Sequence, residues 1–177
     1  MSEADSNSIA RSPELVFALV RAIGTAVSDV MDALEASLSD AGLEVVPIRL
    51  SDQFHKVSFL SELLRSAPED ERYRSFMDVG DLLRSALQRS DAVAVLGIKE
   101  IVARRSSLPK GRGRVFVFRS LMHPDEVTTL RRVYGPRLFV LSAFAPEDIR
   151  ERQLARKIAE SRAQPEAAWR PTAVNLL

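Results

Sequence analysis

Leu15-Val16-Phe17-Ala18-Leu19-Val20-Arg21-Ala22-Ile23-Gly24-Thr25-Ala26-Val27-Ser28 is an apolar strand that breaks at a glycine and runs into a helix. At such junctions α/β proteins hold phosphates, because a helix start offers free N–H groups and the positive end of a dipole. The usual phosphate loop reads G-x-x-x-x-G-K-[ST]. Set against it, the chain has Arg21 for the first glycine, Ala26 for the second and Val27 for the lysine, and it keeps Ser28. The scaffold of a nucleotide site is present, and its main charged tool is missing. That combination favours a binding or regulatory domain over a working kinase.

The rest of the chain extends the pattern. Short apolar runs at Leu15–Val20, Leu43–Ile48, Ala92–Leu96, Val115–Phe118 and Leu138–Ser142 read as five buried strands. Segments with helical spacing separate them. Val27, Val30, Met31, Leu34 and Leu38 share one face before Gly42 stops that helix. Phe54, Val57, Leu60 and Leu64 give a second helix, Tyr73, Phe76, Met77, Leu83 and Leu87 a third, and Ile98, Ile101 and Val102 a short fourth. Pro124-Asp125-Glu126 and Pro146-Glu147-Asp148 each open a further helix, with proline and acids in the first turn. Strands alternating with helices predict a three-layer α/β/α fold around a five-stranded, mainly parallel sheet of the P-loop nucleotide-kinase type. Ligands bind at the C-terminal edge of such a sheet, so the residues after each strand carry the function.

Composition narrows the classes. The chain has 177 residues, enough for one domain, and a net charge of +1, which gives no global field for nucleic acid or anionic membrane. No apolar run approaches a membrane span, and a cytoplasmic setting is the expectation. Cysteine is absent and histidine occurs only at His55 and His123, so a zinc site of the usual N/S type is not expected. Residues 1–12 read as a disordered tail, 13–161 as the domain, and 162–177 as a linker. The apolar end Ala173-Val174-Asn175-Leu176-Leu177 either packs back on the domain or begins something further.

Several segments together resemble the N-terminal domain of the anti-phage dCTP deaminases, bacterial deoxycytidylate-deaminase-like defence proteins. They are Leu15–Val20 with Ile23-Gly24-Thr25, Ile48-Arg49-Leu50-Ser51, Phe118-Arg119-Ser120-Leu121-Met122-His123-Pro124-Asp125-Glu126-Val127, and Leu130-Arg131-Arg132-Val133-Tyr134-Gly135. The resemblance implies a nucleoside-monophosphate-kinase-like first domain followed by a zinc deaminase. The deaminase signature, H-x-E with P-C-x-x-C, is absent from this chain. On this reading the chain is the first domain alone, and a C-terminal deaminase domain would be its partner.

The candidate nucleotide-binding residues are Arg21, Ile23, Gly24, Thr25, Ser28, Arg119, Arg150 and Arg152, with no catalytic residue assigned. Gly24 supplies the tight turn, and Thr25 and Ser28 add hydroxyls that could meet a nucleotide and its Mg²⁺. Arg21 either reaches a phosphate or makes a local bond, for instance to Asp52. Arg119 either holds a phosphate or pairs with Glu126. Arg150 and Arg152 stand where monophosphate kinases carry lid arginines, and they also suit ordinary helix pairs with Glu147 and Asp148. His123 reads as a helix cap. The basic run Arg104–Arg114 has no aromatic residue to stack a base and defaults to a solvated loop. Three functions stay open: a regulatory domain binding a nucleotide or RNA, a divergent nucleotide kinase, and a dimerisation module.

Overall fold

The computed structural model describes residues 13–108 and 112–177. The expected tail at 1–12, and Pro109-Lys110-Gly111 of the basic run, lie outside them. Four strands, β1 (Glu14–Arg21), β2 (Leu43–Arg49), β3 (Gly113–Leu121) and β4 (Leu138–Ala143), form one sheet in the order β2-β3-β1-β4. Every pairing in it is parallel. The helices are α1 (Ser28–Asp40), α2 (Ser58–Ser61), α3 (Glu69–Leu87), α4 (Ala92–Ser107), α5 (Pro124–Tyr134), α6 (Glu147–Arg162) and α7 (Arg170–Val174). Among the described residues no helix is long and apolar enough to cross a membrane.

Alternation along the central strands builds the layers. Val16, Ala18, Val46, Ile48, Phe116 and Phe118 face one side, where Val79 and Leu83 of α3, Ile101 of α4 and Leu130 of α5 complete the larger core. Leu19, Val115 and Val117 face the other side against Val27 and Met31 at the start of α1. Side chains alternate with period two along a strand, so a parallel strand between two helical layers is apolar on both faces.

The sheet has four strands, one fewer than the sequence predicts. Ala92–Leu96 is the first turn and a half of α4. A short apolar run does not distinguish strand from helix, and here the pattern continues at helical spacing, with Ala94, Gly97 and Ile101 buried in succession. Gly97 brings α4 onto the sheet: a Cβ there would meet the Leu50 side chain and stand 2.6 Å from Cε1 of Phe118. The second predicted helix is likewise replaced, by a 3-10 segment over Leu50–Lys56 followed by the single turn of α2. Val30, assigned to the buried face of α1, is exposed.

The region read as a linker, 162–177, holds a 3-10 turn at Glu166–Trp169 and then α7. Ala173 and Leu176 are buried there against Leu154, Ala155 and Ile158 of α6. Arg162 fixes this unit to the start of α3. Its guanidinium donates to both carboxylate oxygens of Asp70, at 2.7 and 2.9 Å, and its carbon lies 4.7 Å from the centre of the Trp169 ring. The Glu69 N–H donates to Ser161 Oγ at 3.0 Å beside it.

Two consequences can be measured. Gly97→Val should overpack the contact between α4 and the sheet and lower stability by about 1–3 kcal/mol, read from the urea midpoint. Hydrogen bonding from Arg162 holds the Asp70 carboxyl below the usual range. Hydrogen bonds from Arg89 and Thr129 do the same for Asp91. A carboxylate depressed in the folded state contributes stability above its unfolded value of about 3.9 and loses it as pH falls. The midpoint should therefore drop below about pH 4, and Asp70→Asn should flatten that drop.

Candidate functional site

Strand order locates the site. From β1 the chain crosses past β3 to β2, and from β3 it crosses past β1 to β4, so these neighbours send their connections in opposite directions. The crevice outside the C-terminal ends of β1 and β3 is therefore the place for a ligand.

Three adjacent strands each carry an arginine to that edge. β1 ends on Arg21 and β2 on Arg49, and Arg119 lies in register beside Arg49 near the end of β3. The edge of β3 is also distorted. Ala18 pairs with Phe118 but Val20 pairs with Leu121, so β3 holds one extra residue there, and Ser120 takes φ +70°. A bulge of this kind re-aims neighbouring side chains, and a left-handed conformation at a non-glycine residue is costly unless its surroundings hold it.

A cavity of about 330 Å³ opens at this edge, in the size range of small-ligand sites. Phe54, Tyr73, Phe76 and Met77 give it an apolar, aromatic wall, and Arg21, Arg49, Arg72 and Arg84 supply charge. Not all of that charge is free. Arg72 is held by Glu69 in a bidentate pair at 2.9 and 2.7 Å and packs over the Tyr73 ring. Arg84 donates to Glu126 at 2.8 Å, Asp81 at 3.1 Å and the Ser90 carbonyl at 3.2 Å. Among the described residues Arg21 donates only to the Thr25 carbonyl, at 3.0 Å, and Arg49 reaches Asp52 at 3.7 Å. Arg119 makes no ion pair among the described residues. Burial lowers the Arg21 pKa, and the nearby charges of Arg119, Arg49 and Arg72 push the same way. Like charges gathered in a partly desolvated crevice attract an anion.

Glu126 fixes the rim. It is fully buried, accepts from the Met122 and His123 N–H groups at 2.8 and 3.1 Å, and takes the Arg84 bond on its other oxygen. His123 Nδ1 accepts from the Asp125 N–H at 3.2 Å, so His123 and Glu126 form a capping box on α5. The predicted capping role of His123 is thus observed. The Arg119–Glu126 pair is not, because Arg84 holds Glu126. Arg21 likewise bonds within the loop, and Asp52 goes to Arg49.

The glycine loop itself is occupied by the protein. Gly24 has φ +82° within a turn closed by the Thr25 N–H to the Ala22 carbonyl at 3.2 Å. A Cβ at Gly24 would stand 2.6 Å from the Arg150 carbonyl oxygen, so α6 lies directly on the loop. Arg150 donates to the Ile23 carbonyl at 3.3 Å, and the Ala26 N–H donates to Gln153 Oε1 at 3.2 Å. Val27, in the lysine position, is buried with Met31. Thr25 is buried, and its hydroxyl has no partner among the described residues. Ser28 starts α1 and bonds Asp29 at 3.2 Å. Arg152 pairs with Asp148 at 3.0 Å on the exposed side of α6.

Of the candidate residues, Arg21 and Ile23 line the cavity, whereas Arg119 lies on β3 in register with Arg49 and is not part of the lining. Gly24, Thr25 and Arg150 belong to the loop contact with α6, and Ser28 and Arg152 point elsewhere. Arg49, Arg72, Tyr73 and Phe76 were not among them. Three apolar runs each ending in arginine, Val20-Arg21, Ile48-Arg49 and Phe118-Arg119, are the sequence signal for the first of these. In the basic run, Arg104 pairs with Glu100, Arg105 with Glu14 and Arg114 with Glu44.

No protein-family model matches the chain, and no curated protein matches it either. Among solved structures, a gluconokinase from Sinorhizobium meliloti 1021 is similar at a TM-score of 0.37 and 16% identity, over 94% of this chain and 76% of that one. A superposition that loose leaves the fold to be read from the chain itself. That fold is α/β, with a parallel sheet and the strand, glycine turn and helix in the order used by P-loop proteins.

Glu126→Ala should leave Arg84 with only its partners Asp81 and the Ser90 carbonyl and remove the glutamate half of the capping box on α5. The expected loss is about 3–5 kcal/mol in urea unfolding, the usual cost of removing one partner of a buried pair.

Proposed function

We propose that this chain is a nucleotide-binding regulatory domain whose ligand sits in the cavity at the arginine edge, and not on the glycine loop. The observation that carries the reading is that Arg21 at the end of β1 and Arg49 at the end of β2 both line one crevice with an aromatic wall, with Arg119 on the strand between them. Guanidinium groups suit phosphate oxygens, and Tyr73, Phe76 and Phe54 suit the flat face of a base. An isolated anion would need no such wall, and an apolar ligand no such arginines.

Phosphoryl transfer asks for a cation at the β/γ oxygens and open N–H groups in the loop. Here Val27 faces the core and Gln153 takes the Ala26 N–H. These contacts favour binding without turnover, with a divergent nucleotide kinase as the second reading. The sequence resemblance adds a finer proposal: occupancy of the cavity restrains or licenses a linked deaminase. A ligand achieves this only through different affinity for the two states.

Binding is tested by calorimetry with a panel of nucleotides. Arg21→Ala and Arg49→Ala should each weaken binding about tenfold or more, the loss of one charge-assisted contact. Unchanged affinity in both variants would remove the cavity from the account. Turnover of labelled ATP with a nucleoside monophosphate and Mg²⁺, abolished by Ser28→Ala, would establish the kinase instead.

A further inference from the structure

The cavity continues past its arginines into a second depression, an open groove of about 650 Å³ lined by Arg49, Glu69, Arg72, Lys157, Glu160 and Ser161. Arg49 and Arg72 belong to both, so together they form the wall between cavity and groove. The groove lies between α3 and α6, beyond the end of β2.

The groove's carboxylates are already engaged. Glu69 is taken by Arg72 at 2.7 Å, and Glu160 by Arg156 at 2.8 Å. Ser161 Oγ is also committed, donating to the Ile158 carbonyl at 2.8 Å and accepting from the Glu69 N–H. Lys157 has no carboxylate partner among the described residues, and Arg49 has only the 3.7 Å contact with Asp52. The positive line therefore runs from Arg21 through Arg49 to Lys157, and the two acids beside it, Glu69 and Glu160, are already paired with Arg72 and Arg156.

A chain of phosphates that leaves the strand ends along this groove passes Lys157, whereas a single phosphate at Arg21 and Arg49 does not. Resting on the nucleotide-binding reading above, we infer that the ligand is a nucleoside triphosphate. Its base occupies the aromatic cavity, its first phosphate lies at Arg21 and Arg49, and its outer phosphates extend into the groove toward Lys157. In this arrangement the triphosphate runs away from the glycine loop. Arg49, shared by the two compartments, sets the direction of the chain.

The test is calorimetry on the full chain with cytidine and adenosine mono- and triphosphates, at fixed salt, with and without Mg²⁺. Each triphosphate should bind at least about tenfold more tightly than its monophosphate, the ratio one further charge-assisted contact supplies. Lys157→Glu should erase that difference while leaving monophosphate affinity within about twofold, because the side chain is exposed and outside the cavity. Equal affinity for mono- and triphosphate in the parent chain would overturn this inference and leave the nucleotide reading intact. Binding of no nucleotide would overturn that reading itself. A single-stranded RNA oligomer binding more tightly than any triphosphate would also overturn the inference, since the groove would then follow a polymer backbone.

Discussion

The approach of α6 to Gly24 governs the functional end of the molecule. A helix backbone can lie on this turn only because residue 24 has no Cβ and takes a left-handed φ. Once it does, the turn's polar groups find partners inside the protein: the Ile23 carbonyl takes Arg150, and the Ala26 N–H takes Gln153. The strand–turn–helix plan survives while the space it encloses in phosphate-binding proteins is filled. Room for a ligand remains on the other side of Arg21, where the sheet's C-terminal edge faces α3.

The distribution of charge separates structure from function. Buried or nearly buried carboxylates are answered locally: Glu126 by Arg84, Asp70 by Arg162, and Glu100 by Lys56 and Arg104. Each joins elements distant in sequence or staples a helix, and removing one partner leaves the other desolvated. The strand-end arginines break this rule: Arg49 and Arg119 stand in register on neighbouring strands with Arg21 at the end of the next, and among the described residues only Asp52 pairs with any of them. Like charges on neighbouring strands disfavour the sheet that holds them.

Much of the fold could be read from residue pattern because its determinants are local. The unbroken apolar runs Leu15–Val20 and Val115–Phe118 mark strands buried on both faces, and the proline–acid starts of α5 and α6 mark helix origins. Ala92–Leu96 is ambiguous because a short apolar run satisfies both periods, and its continuation through Gly97 and Ile101 at helical spacing makes it helix. The site was partly legible. Arg21 and Arg119 follow from strand ends, whereas Arg72, Tyr73 and Phe76 reach the cavity through the tertiary placement of α3. The bulge at Ser120 has no glycine to announce it. The contact of α6 with the loop was also hidden, since nothing local in Arg150 or Gln153 reveals a partner more than a hundred residues away.

The clasp between Arg162 and Asp70, reinforced by Ser161 and the Glu69 N–H, joins the first turn of α3 to the last turn of α6. Tyr73 and Arg72 on α3 wall the cavity, and α7 packs on α6, so the chain's final helices are fastened to the cavity wall. Local opening of a protein proceeds in contiguous cooperative units. The contacts that tie the start of α3 to the end of α6, and α6 to α7, make these segments candidates for one such unit, whose amide protons would exchange with solvent together. Any change that orders the cavity wall on α3 would then slow that exchange in α7, at the carboxyl end of the chain.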